Sequence, residues 1–254
     1  AAGVRLRAHS KTHKCPEIAR RQVAAGAIGV CCQKVGEAEA MVAGDIEDVL
    51  ITNQIWGANK LARVAELAKT ARIGICVDDA QNVADLSAAA VAAGAKLDVY
   101  VEIDVGAGRC GIAPGDAAAD LAQTVVDHDG LNFAGLQAYH GSAQHIRAIN
   151  ERGAAIGAAC YHVKATLAAL DRVGLSAKTV TGAGTGSFEF EAASGLYQEM
   201  QCGSYIFMDA DYAQNQDRVG NPFADFRHSL HVLVTVMSAT KPGFAVVDAG
   251  HKAL

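Results

Sequence analysis

Residues 73–104 have the sequence IGICVDDAQNVADLSAAAVAAGAKLDVYVEID, and this stretch decides the fold class. Its two ends, Ile73–Val77 and Leu97–Asp104, are runs of apolar and β-branched residues that are typical of buried strands. The segment between them, Ala80–Ala93, is rich in Ala and Leu at helical spacing. A strand, a helix and a second strand in this order predict a right-handed crossover between parallel strands.

The same alternation continues on both sides of this unit. The other predicted strands are Val4–Ala8, Ile28–Cys32, Asp48–Thr52, Phe133–Tyr139, Thr179–Gly182 and Met200–Phe207. The other predicted helices are Pro16–Ala25, Gly36–Ala43, Ala58–Ala68, Asp116–Val126 and Ala148–Val173. Eight strands separated mostly by helices predict an α/β fold with a parallel sheet. A closed (β/α)8 barrel and an open doubly wound sheet are the two candidate architectures.

Residues that are unusual for an apolar core gather at the carboxyl ends of the predicted strands. The set comprises Lys11, Gln33, Asn53, Asp78, Arg109, Tyr139, His140, the Gly182–Gly186 loop, Gly203 and Ser204. A closed barrel brings all strand ends to one face, where a single ligand can reach most of them, whereas an open sheet spreads them along an edge. We therefore predict a TIM-like (β/α)8 barrel over residues 1–228.

The sequence pattern changes after Phe207. Residues 208–228 are polar and typical of loops, and two further strands are predicted at Leu230–Met237 and Phe244–Asp248. We interpret residues 229–254 as the beginning of a second, β-rich domain. Because strand-like segments lie close to both ends of the chain, we expect it to be a piece of a longer protein.

The composition of the 254 residues excludes several classes of protein. Hydrophobic residues make up 51% and charged residues 19%, which is typical of a globular chain and not of a disordered one. The 22 Lys and Arg residues against 27 Asp and Glu residues leave a net charge of −5, so no nucleic-acid partner is predicted. No apolar run approaches the roughly 18 residues of a membrane span, and no signal peptide is recognisable. The seven Cys residues lack CxxC spacing and predict reduced thiols in a cytoplasmic protein.

Lys11 is the candidate nucleophile. It follows the first predicted strand in the basic segment RAHSKTHK, residues 7–14. Neighbouring positive charges disfavour the ammonium form, which lowers the lysine pKa and frees the amine for Schiff-base formation. A solvated basic loop is the plainer interpretation of this segment. A metal site formed by His9 and His13 is a third, although strand-and-loop geometry does not place both rings on one face.

The segment Gly182–Ser187, GAGTGS, is the candidate phosphate-binding loop. Its small residues expose backbone amides, and the hydroxyl groups of Thr185 and Ser187 add donors. Gly203 and Ser204 in the eighth predicted strand supply further donors, and (β/α)8 barrels commonly bind phosphate after strands seven and eight. Tight turns alone would also explain these glycines.

A second glycine-rich segment, Gly106–Gly111, formally matches the GxGxxG pattern of dinucleotide sites. However, it follows the fifth predicted strand and not the first, and Pro114 interrupts the helix that it should open. The next strand ends in Tyr139 and not in the acidic residue that would bind a ribose. An NAD-dependent oxidoreductase is therefore a distant alternative.

Three further residues at the strand ends have candidate binding roles. Arg109 is the charged residue of its glycine loop and can donate hydrogen bonds to a phenolate or carboxylate. Tyr139, which precedes His140, can place a flat ring against an aromatic ligand. Gln33 is polar in an apolar strand and needs a partner from the protein or from a ligand. Arg109 and Tyr139 also suit ordinary turn and strand-end positions.

A lysine, a phosphate loop and a flat aromatic residue on one barrel face describe a site for pyridoxal 5′-phosphate. The chain resembles the family of D-threonine aldolases and 3-hydroxy-D-aspartate aldolases, which is related to D-serine dehydratase. The resemblance covers essentially the whole chain and implies a barrel of the alanine racemase type. It rests on the segments RAHSKTHKCPEIA (7–19), GVCCQKVGEAEA (29–40), VEIDVGAGRCGI (101–112), LQAYHGSAQH (136–145), GAGTGS (182–187) and MQCGSYIFMDADY (200–212).

The resemblance implies roles for individual residues. Lys11 matches the lysine that forms the Schiff base with the cofactor. Arg109 matches the arginine near the pyridoxal O3′, Tyr139 the aromatic residue beside the ring, and His140 a catalytic residue close to the substrate. Gln201 takes the position near the pyridine nitrogen, where alanine racemase has arginine. The remaining cofactor contacts are expected from Gln33, Gly184, Thr185, Gly186, Gly203, Ser204 and Tyr212.

The resemblance also implies a reaction, the retro-aldol cleavage of a D-β-hydroxy-α-amino acid such as D-threonine into glycine and an aldehyde. Within the same scaffold, the alternatives are a 3-hydroxy-D-aspartate aldolase that gives glycine and glyoxylate, and a dehydratase for D-serine or D-hydroxyaspartate. A non-catalytic protein that binds pyridoxal phosphate is more distant.

A metal ion and a homodimer are further implications of the resemblance. The family's aldolases use a divalent cation, Mn²⁺ or Mg²⁺, bound by a His and an Asp near the C-terminus. No matching segment precedes Leu254, so the ligands are expected beyond that residue. A homodimer is expected because such barrels commonly complete their sites with a partner's β-domain.

Overall fold

The computed structural model describes residues 3–250. Within them, nine strands form one sheet: β1 (Arg5–Leu6), β2 (Ala8–His9), β3 (Val30–Cys32), β4 (Asp48–Ile51), β5 (Arg72–Val77), β6 (Leu97–Glu102), β7 (Leu131–Ala138), β8 (Thr179–Gly182) and β9 (Glu199–Met200). Seven α-helices lie between these strands: α1 (Pro16–Ala24), α2 (Val35–Ala43), α3 (Ala58–Leu67), α4 (Ala80–Ala93), α5 (Asp116–Val126), α6 (Ile149–Arg172) and α7 (Phe188–Ser194).

The sheet closes on itself through the first strand. Its order is β1-β9-β8-β7-β6-β5-β4-β3-β2, and every pair is parallel. Only Arg7 separates β1 from β2, so the two outer positions of the sheet belong to one continuous segment. Leu6 pairs with Met200 of β9, and Ala8 pairs with Val30 of β3. The predicted α/β barrel with eight strand positions is therefore confirmed.

Helix α4 illustrates why the predicted helical segments fold as they do. The Asp79 side chain accepts hydrogen bonds from the amides of Gln81 and Asn82, which caps the first turn. Val83, Leu86 and Ala90 follow at three- and four-residue spacing and are fully buried against the outside of the sheet. Burial of this stripe fixes the helix on the barrel wall.

The barrel interior is arranged in layers, as the inward-facing residues of one strand show. Residues two apart along a strand point to the same side. On β4, Asp48 lies at the amino-terminal end and bonds Arg7, and Leu50 lies in an apolar middle layer. Thr52, just after the strand, faces a cavity at the carboxyl end. The other members of the middle layer are Cys31, Cys76, Tyr100 and Ala134.

A buried ion-pair network fills the amino-terminal end of the barrel. The Arg7 guanidinium, 2% exposed, donates to Glu199 Oε2 of β9 at 2.9 Å and to both carboxylate oxygens of Asp48 on β4. Burial alone lowers the pKa of Arg7, but hydrogen bonds and charges from Asp48 and Glu199 outweigh it and raise the pKa. The guanidinium therefore stays charged and links the closing strands.

Several predicted boundaries are exact, and others are wrong. The helices Ala80–Ala93 and Asp116–Val126 and the strand Thr179–Gly182 agree residue for residue. The predicted strand Met200–Phe207 is wrong after Met200, because Gly203 packs against the first strand and Ser204–Ile206 form a 3₁₀ turn. Helix α7 was not predicted, because its seven residues are too short for a helical pattern.

The chain after the barrel contains a small antiparallel sheet, made of β10 (Val236–Ser238) and β11 (Val246–Val247). Both strands are shorter than predicted. Their side chains and that of Leu233 are exposed, so within residues 3–250 no packed face supports longer strands. The proposed domain boundary at residue 228 stays a prediction, and residues 251–254 of the second domain lie outside the described part.

Two further observations concern the whole described chain. None of the helices in residues 3–250 is both long and apolar enough to cross a membrane. All seven cysteines lie in this range and are free thiols, four of them buried.

The network around Arg7 predicts a stability effect. Replacing Glu199 by Gln removes one carboxylate from a buried guanidinium, and we expect the free energy of unfolding to fall by roughly 3 kcal/mol. Glu66→Gln is the matched control, because Glu66 pairs with Lys69 on the surface and is 69% exposed. We expect this control to change stability by less than about 0.5 kcal/mol. Denaturant unfolding measures both, and equal losses would contradict a special role for the network.

Candidate active site

A polar cavity of about 450 Å³ lies at the carboxyl ends of the barrel strands. Several strands of the barrel, and the loops that follow them, contribute residues to this cavity. The lining residues are His9, Lys11, Gln33, Thr52, Arg109, Gln137, Tyr139, Ala183, Gly184, Thr185, Gln201, Gly203, Ser204 and Tyr212.

Lys11 enters this cavity from a 3₁₀ turn, Ser10–Thr12, that directly follows β2. Within the described residues its amine makes neither a hydrogen bond nor an ion pair with a side chain. Burial lowers the pKa of Lys11, and the charge of Arg109 lowers it further. The amine is therefore free of partners and more readily deprotonated than an ordinary lysine.

His9 packs beside Lys11 as a neutral ring. Its Nδ1 accepts a weak hydrogen bond from the Lys11 amide at 3.4 Å, so Nε2 carries the proton and faces Thr52 Oγ1 at 3.3 Å. The Thr52 hydroxyl in turn donates to the Cys32 carbonyl. Burial and the nearby charges of Lys11 and Arg109 lower the pKa of His9 well below its usual range. His9 thus orients the lysine turn without adding a charge.

Two loops present unpaired backbone amides to the cavity. Among the described residues, the amides of Gly184, Thr185, Gly203 and Ser204 donate to no protein acceptor. The Thr185 hydroxyl accepts from the amide of Tyr205, which ties the two loops together. A side chain at Gly203 would meet Thr12 Oγ1 at 2.9 Å and His9 Cβ at 3.0 Å, so only glycine allows this close approach. Clustered free amides form a cradle for an anion.

Two side-chain amides, those of Gln137 and Gln201, form the cavity wall between β7 and β9. Gln137 and Gln201 donate to each other reciprocally at 3.0 and 2.7 Å, and Gln201 also donates to Thr181 Oγ1. Both glutamines are buried. These bonds fix the Gln201 amide, so the wall is neutral and its polar groups are held in one orientation.

Arg109 supplies the positive charge at the cavity mouth. Its guanidinium lies 5.9 Å from the centre of the Tyr139 ring and 3.9 Å from the Glu102 carboxylate. Glu102 is buried and accepts a 2.6 Å hydrogen bond from Gln54. Burial raises the pKa of Glu102, while Gln54 and Arg109 lower it in part. The side chain of Arg109 is thus held between an aromatic face and a carboxylate.

A neighbouring cavity of about 790 Å³ shares Gln33 and Arg109 with the first. It is also lined by Asn53, Gln54, Trp56, Asp78 and Cys110. Asn53 and Asp78, both predicted at the functional face, line this second cavity. This second space is polar and open, so a molecule bound near Arg109 can extend into it.

Of the catalytic and cofactor-binding residues that the resemblance implies, all but two line the first cavity. The exceptions are Gly186, whose amide donates to Gln144, and His140, whose ring packs against Gly106. The Ser187 hydroxyl, predicted as a further phosphate donor, is buried outside the lining and donates to Glu191. His140 Nδ1 faces the Ser142 hydroxyl, and burial lowers the pKa of the ring. The structure therefore places His140 next to the cavity and not in its lining, and its catalytic role stays a prediction.

Two lining residues, Thr52 and Gln137, were not predicted, and His9 was considered only as a metal ligand. Gln137 could have been found, because it lies two residues before Tyr139 in the predicted strand Phe133–Tyr139 and shares its face. Thr52 ends a predicted strand and carried no comparable signal.

The structure disfavours two alternatives from the sequence. The amides of Gly106 and Gly108 both donate to Asp104, and that of Gly111 donates to Asp78, so this GxGxxG segment has no free amides at these glycines. His13 bonds Gln22 and the Cys15 amide, while His9 faces Thr52, so the two rings serve different partners. Within residues 3–250, no group of three or more His, Cys, Asp or Glu side chains is placed to hold a metal.

The fold and the site define a class of protein: the chain belongs to the alanine racemase N-terminal domain family, whose model matches residues 1–211. It is 51% identical over 249 residues to a D-threonine aldolase of Arthrobacter sp, covering 98% of this chain and 65% of that protein. It is 47% identical to a 3-hydroxy-D-aspartate aldolase of Paracoccus denitrificans, covering 100% of this chain and 66% of that protein.

The same similarity appears in three dimensions. The crystal structure of D-threonine aldolase from Filomicrobium marinum superposes with a TM-score of 0.95 at 54% identity, covering 99% of this chain and 67% of that one. The chain spans about two thirds of the length of the relatives it matches.

The charge of Arg109 predicts a change in Lys11 reactivity. Because Arg109 lowers the pKa of Lys11, Arg109→Met should raise that pKa and shift the pH midpoint of Lys11 labelling by an amine reagent upward. Peptide mapping after timed labelling at several pH values measures the midpoint. Arg63→Met is the control, because Arg63 pairs with Glu39 on the outer surface. An unchanged midpoint in Arg109→Met would contradict the coupling.

Proposed function

We propose that the protein containing this chain is a pyridoxal-phosphate-dependent lyase that cleaves D-3-hydroxy-amino acids such as D-threonine into glycine and an aldehyde. The observation that carries the proposal is the partner-free amine of Lys11 in the same cavity as the unpaired amides of Gly184, Thr185, Gly203 and Ser204. An amine nucleophile and an anion cradle suit an aldehyde that carries a phosphate. The named relatives support the same reaction class.

The residues of the cavity fit this cofactor in charge and in shape. The glycine loops offer amide donors for a phosphate, and the Tyr212 phenol adds another polar group to the lining. Tyr139 offers a flat face for a planar ring, and Arg109 offers a cation for a phenolate oxygen. Gln201 is neutral, so the wall beside it places no charge against the ring nitrogen.

The chemistry divides between the cofactor and the chain. When bound, pyridoxal phosphate supplies an electron sink for the electron pair released from the broken Cα–Cβ bond. Lys11 holds the cofactor, and because burial and the charge of Arg109 lower its pKa, its amine is more readily deprotonated than that of an ordinary lysine. Arg109 holds negative charge at the cavity mouth, and the neighbouring cavity shared by Gln33 and Arg109 gives space for the substrate side chain.

The proposed bond changes balance without a further reactant. The β-hydroxyl group loses its proton to a base, the Cα–Cβ bond breaks, and the Cβ fragment leaves as the aldehyde. The electron pair stays with Cα, which then takes up a proton to give glycine. We propose His140 as a residue close to the substrate, on the resemblance and on its position beside the cavity.

The remaining parts of the proposal rest on the resemblance alone. A divalent cation, Mn²⁺ or Mg²⁺, is proposed, with its His and Asp ligands beyond Leu254. A homodimer and a cytoplasmic location are proposed likewise. The free thiols are compatible with a reducing compartment.

The assignment of Lys11 predicts a loss of both activity and covalent labelling. Lys11→Ala should lower kcat by at least about 10³-fold, because the chain loses its nucleophile. Borohydride reduction of the wild type followed by peptide mapping should locate a pyridoxyl group on Lys11. Lys14→Gln removes an exposed lysine of the same segment and should keep both readouts. Full turnover by Lys11→Ala, or a label on Lys14, would refute the assignment.

Product analysis separates the proposed function from its alternatives. With D-threonine, a retro-aldol lyase yields glycine and acetaldehyde in equal amounts. A 3-hydroxy-D-aspartate aldolase instead prefers that substrate and yields glycine and glyoxylate. Ammonia and a keto acid would identify a dehydratase, and a protein that binds the cofactor but turns over none of these substrates would be non-catalytic.

A further inference from the structure

A chain of buried hydrogen bonds lies beneath the glycine-rich loop Gly182–Ser187. Gln144 Oε1 accepts from the Gly186 amide at 2.9 Å, and Gln144 Nε2 donates to Ser187 Oγ at 2.7 Å. Ser187 Oγ then donates to Glu191 Oε1 at 2.8 Å. Gln144, Ser187 and Glu191 are each at most 1% exposed. The loop is therefore attached to a carboxyl group through two side chains.

The donor groups determine the direction of every hydrogen bond in this series. The Gly186 amide can only donate, so the Gln144 oxygen faces it and the Gln144 nitrogen faces Ser187. Ser187 accepts that bond and must give its own proton to Glu191. Glu191 Oε2 has no partner, although it is buried. A neutral Glu191 thus carries its proton on Oε2 while Oε1 accepts from Ser187.

No cation compensates this carboxyl group. Among the described residues, Glu191 forms no ion pair, and the titratable groups whose pKa its charge affects are Tyr139, Cys160, Tyr197 and Cys202. Burial raises the pKa of each of these four groups, so they are neutral near pH 7. Burial likewise raises the pKa of Glu191 to about 7, with hydrogen bonding from Ser187 opposing it. The charge state of Glu191 therefore changes near neutral pH.

We propose that Glu191 is a positioning residue: it is attached to the glycine loop through Ser187 and Gln144, its neutral form permits a phosphate group to bind there, and its ionisation weakens that binding. The inference rests on the proposed function, because the phosphate is that of the proposed cofactor. An uncompensated carboxylate under the loop repels a phosphate dianion strongly, because the protein interior screens charge poorly. Gly184 lies directly against the Gln144 side chain, so the loop cannot move away without breaking the same chain of bonds.

The sign of the pH effect follows from these positions. Below the pKa of Glu191 the group is neutral and phosphate affinity is highest. As the pH rises through about 7, the carboxylate forms and affinity falls. In the limit where only the neutral form binds, the Kd rises about tenfold for each pH unit above the pKa.

The test compares Glu191→Gln with the wild type of the complete protein, and uses pyridoxine 5′-phosphate as the probe. This probe has an alcohol in place of the aldehyde, so it cannot form a Schiff base with Lys11. Titration calorimetry gives its Kd between pH 6 and pH 8.5. The titrations of the phosphate, Lys11 and the histidines affect both proteins, so the ratio of the two Kd values isolates Glu191.

We expect the ratio of the wild-type Kd to the Glu191→Gln Kd to rise by about threefold or more from pH 6 to pH 8.5. A smaller rise would overturn the role of Glu191. Glu189→Gln, on the same helix but next to Arg218 at the surface, should show the pH dependence of the wild type. If Glu191→Gln does not fold, Glu191→Met removes the same ionisable group with little change in volume and is judged by the same ratio.

Unphosphorylated pyridoxine separates the two proposals. If wild type at pH 6 binds pyridoxine 5′-phosphate no better than pyridoxine, the cavity is not the proposed cofactor site, and the function and this inference both fail. If the phosphate is preferred but the Kd ratio stays constant with pH, only the role of Glu191 fails.

Discussion

The contact between Arg7 and Glu199 is the constraint on which the rest of the structure depends. Arg7 is the residue at which the first strand passes from β9 to β3, so its side chain lies at the seam of the barrel. Its bonds to Glu199 on one side and Asp48 on the other hold three strands around a charge that has no access to water. Closure at this seam brings the turn with Lys11 against Gly203, and so places the lysine opposite the amide-rich loops.

Because side chains alternate between the two faces of each strand, the inward-facing residues that stabilise the barrel lie in different layers from those that line the cavity. On β6, Asp98 at the amino-terminal end pairs with Arg72, Tyr100 lies in the apolar middle layer, and Glu102 reaches Arg109 at the carboxyl end. The middle layer isolates the ion pairs below from the cavity above. Changes at the cavity can therefore alter binding chemistry without loosening the closure of the barrel.

The electrostatics of the cavity favour an anion through the suppression of competing charges. Burial keeps His9 neutral, and the side-chain amides of Gln137 and Gln201 are uncharged and hydrogen-bond to each other. The remaining cations, Arg109 and the protonated fraction of Lys11, act with free backbone amides that need no counter-charge. Under the loop, burial favours the protonated form of Glu191, and an ionised Glu191 would repel a bound anion.

The sequence by itself determined most of the strands and helices, the closed barrel and most of the cavity lining. Apolar runs, helical spacing and strand-end polar residues are local signals, and Ala80–Ala93 agrees exactly for that reason. Only the tertiary structure decided which residues share a wall and what charge each carries. The pairing of Gln137 with Gln201 joins residues 64 positions apart, and the raised pKa of Glu191 comes from burial under a loop. The position of His140 could not be predicted either. Its ring packs against Gly106 and so lies beside the cavity, and this contact between distant residues leaves no local sequence pattern.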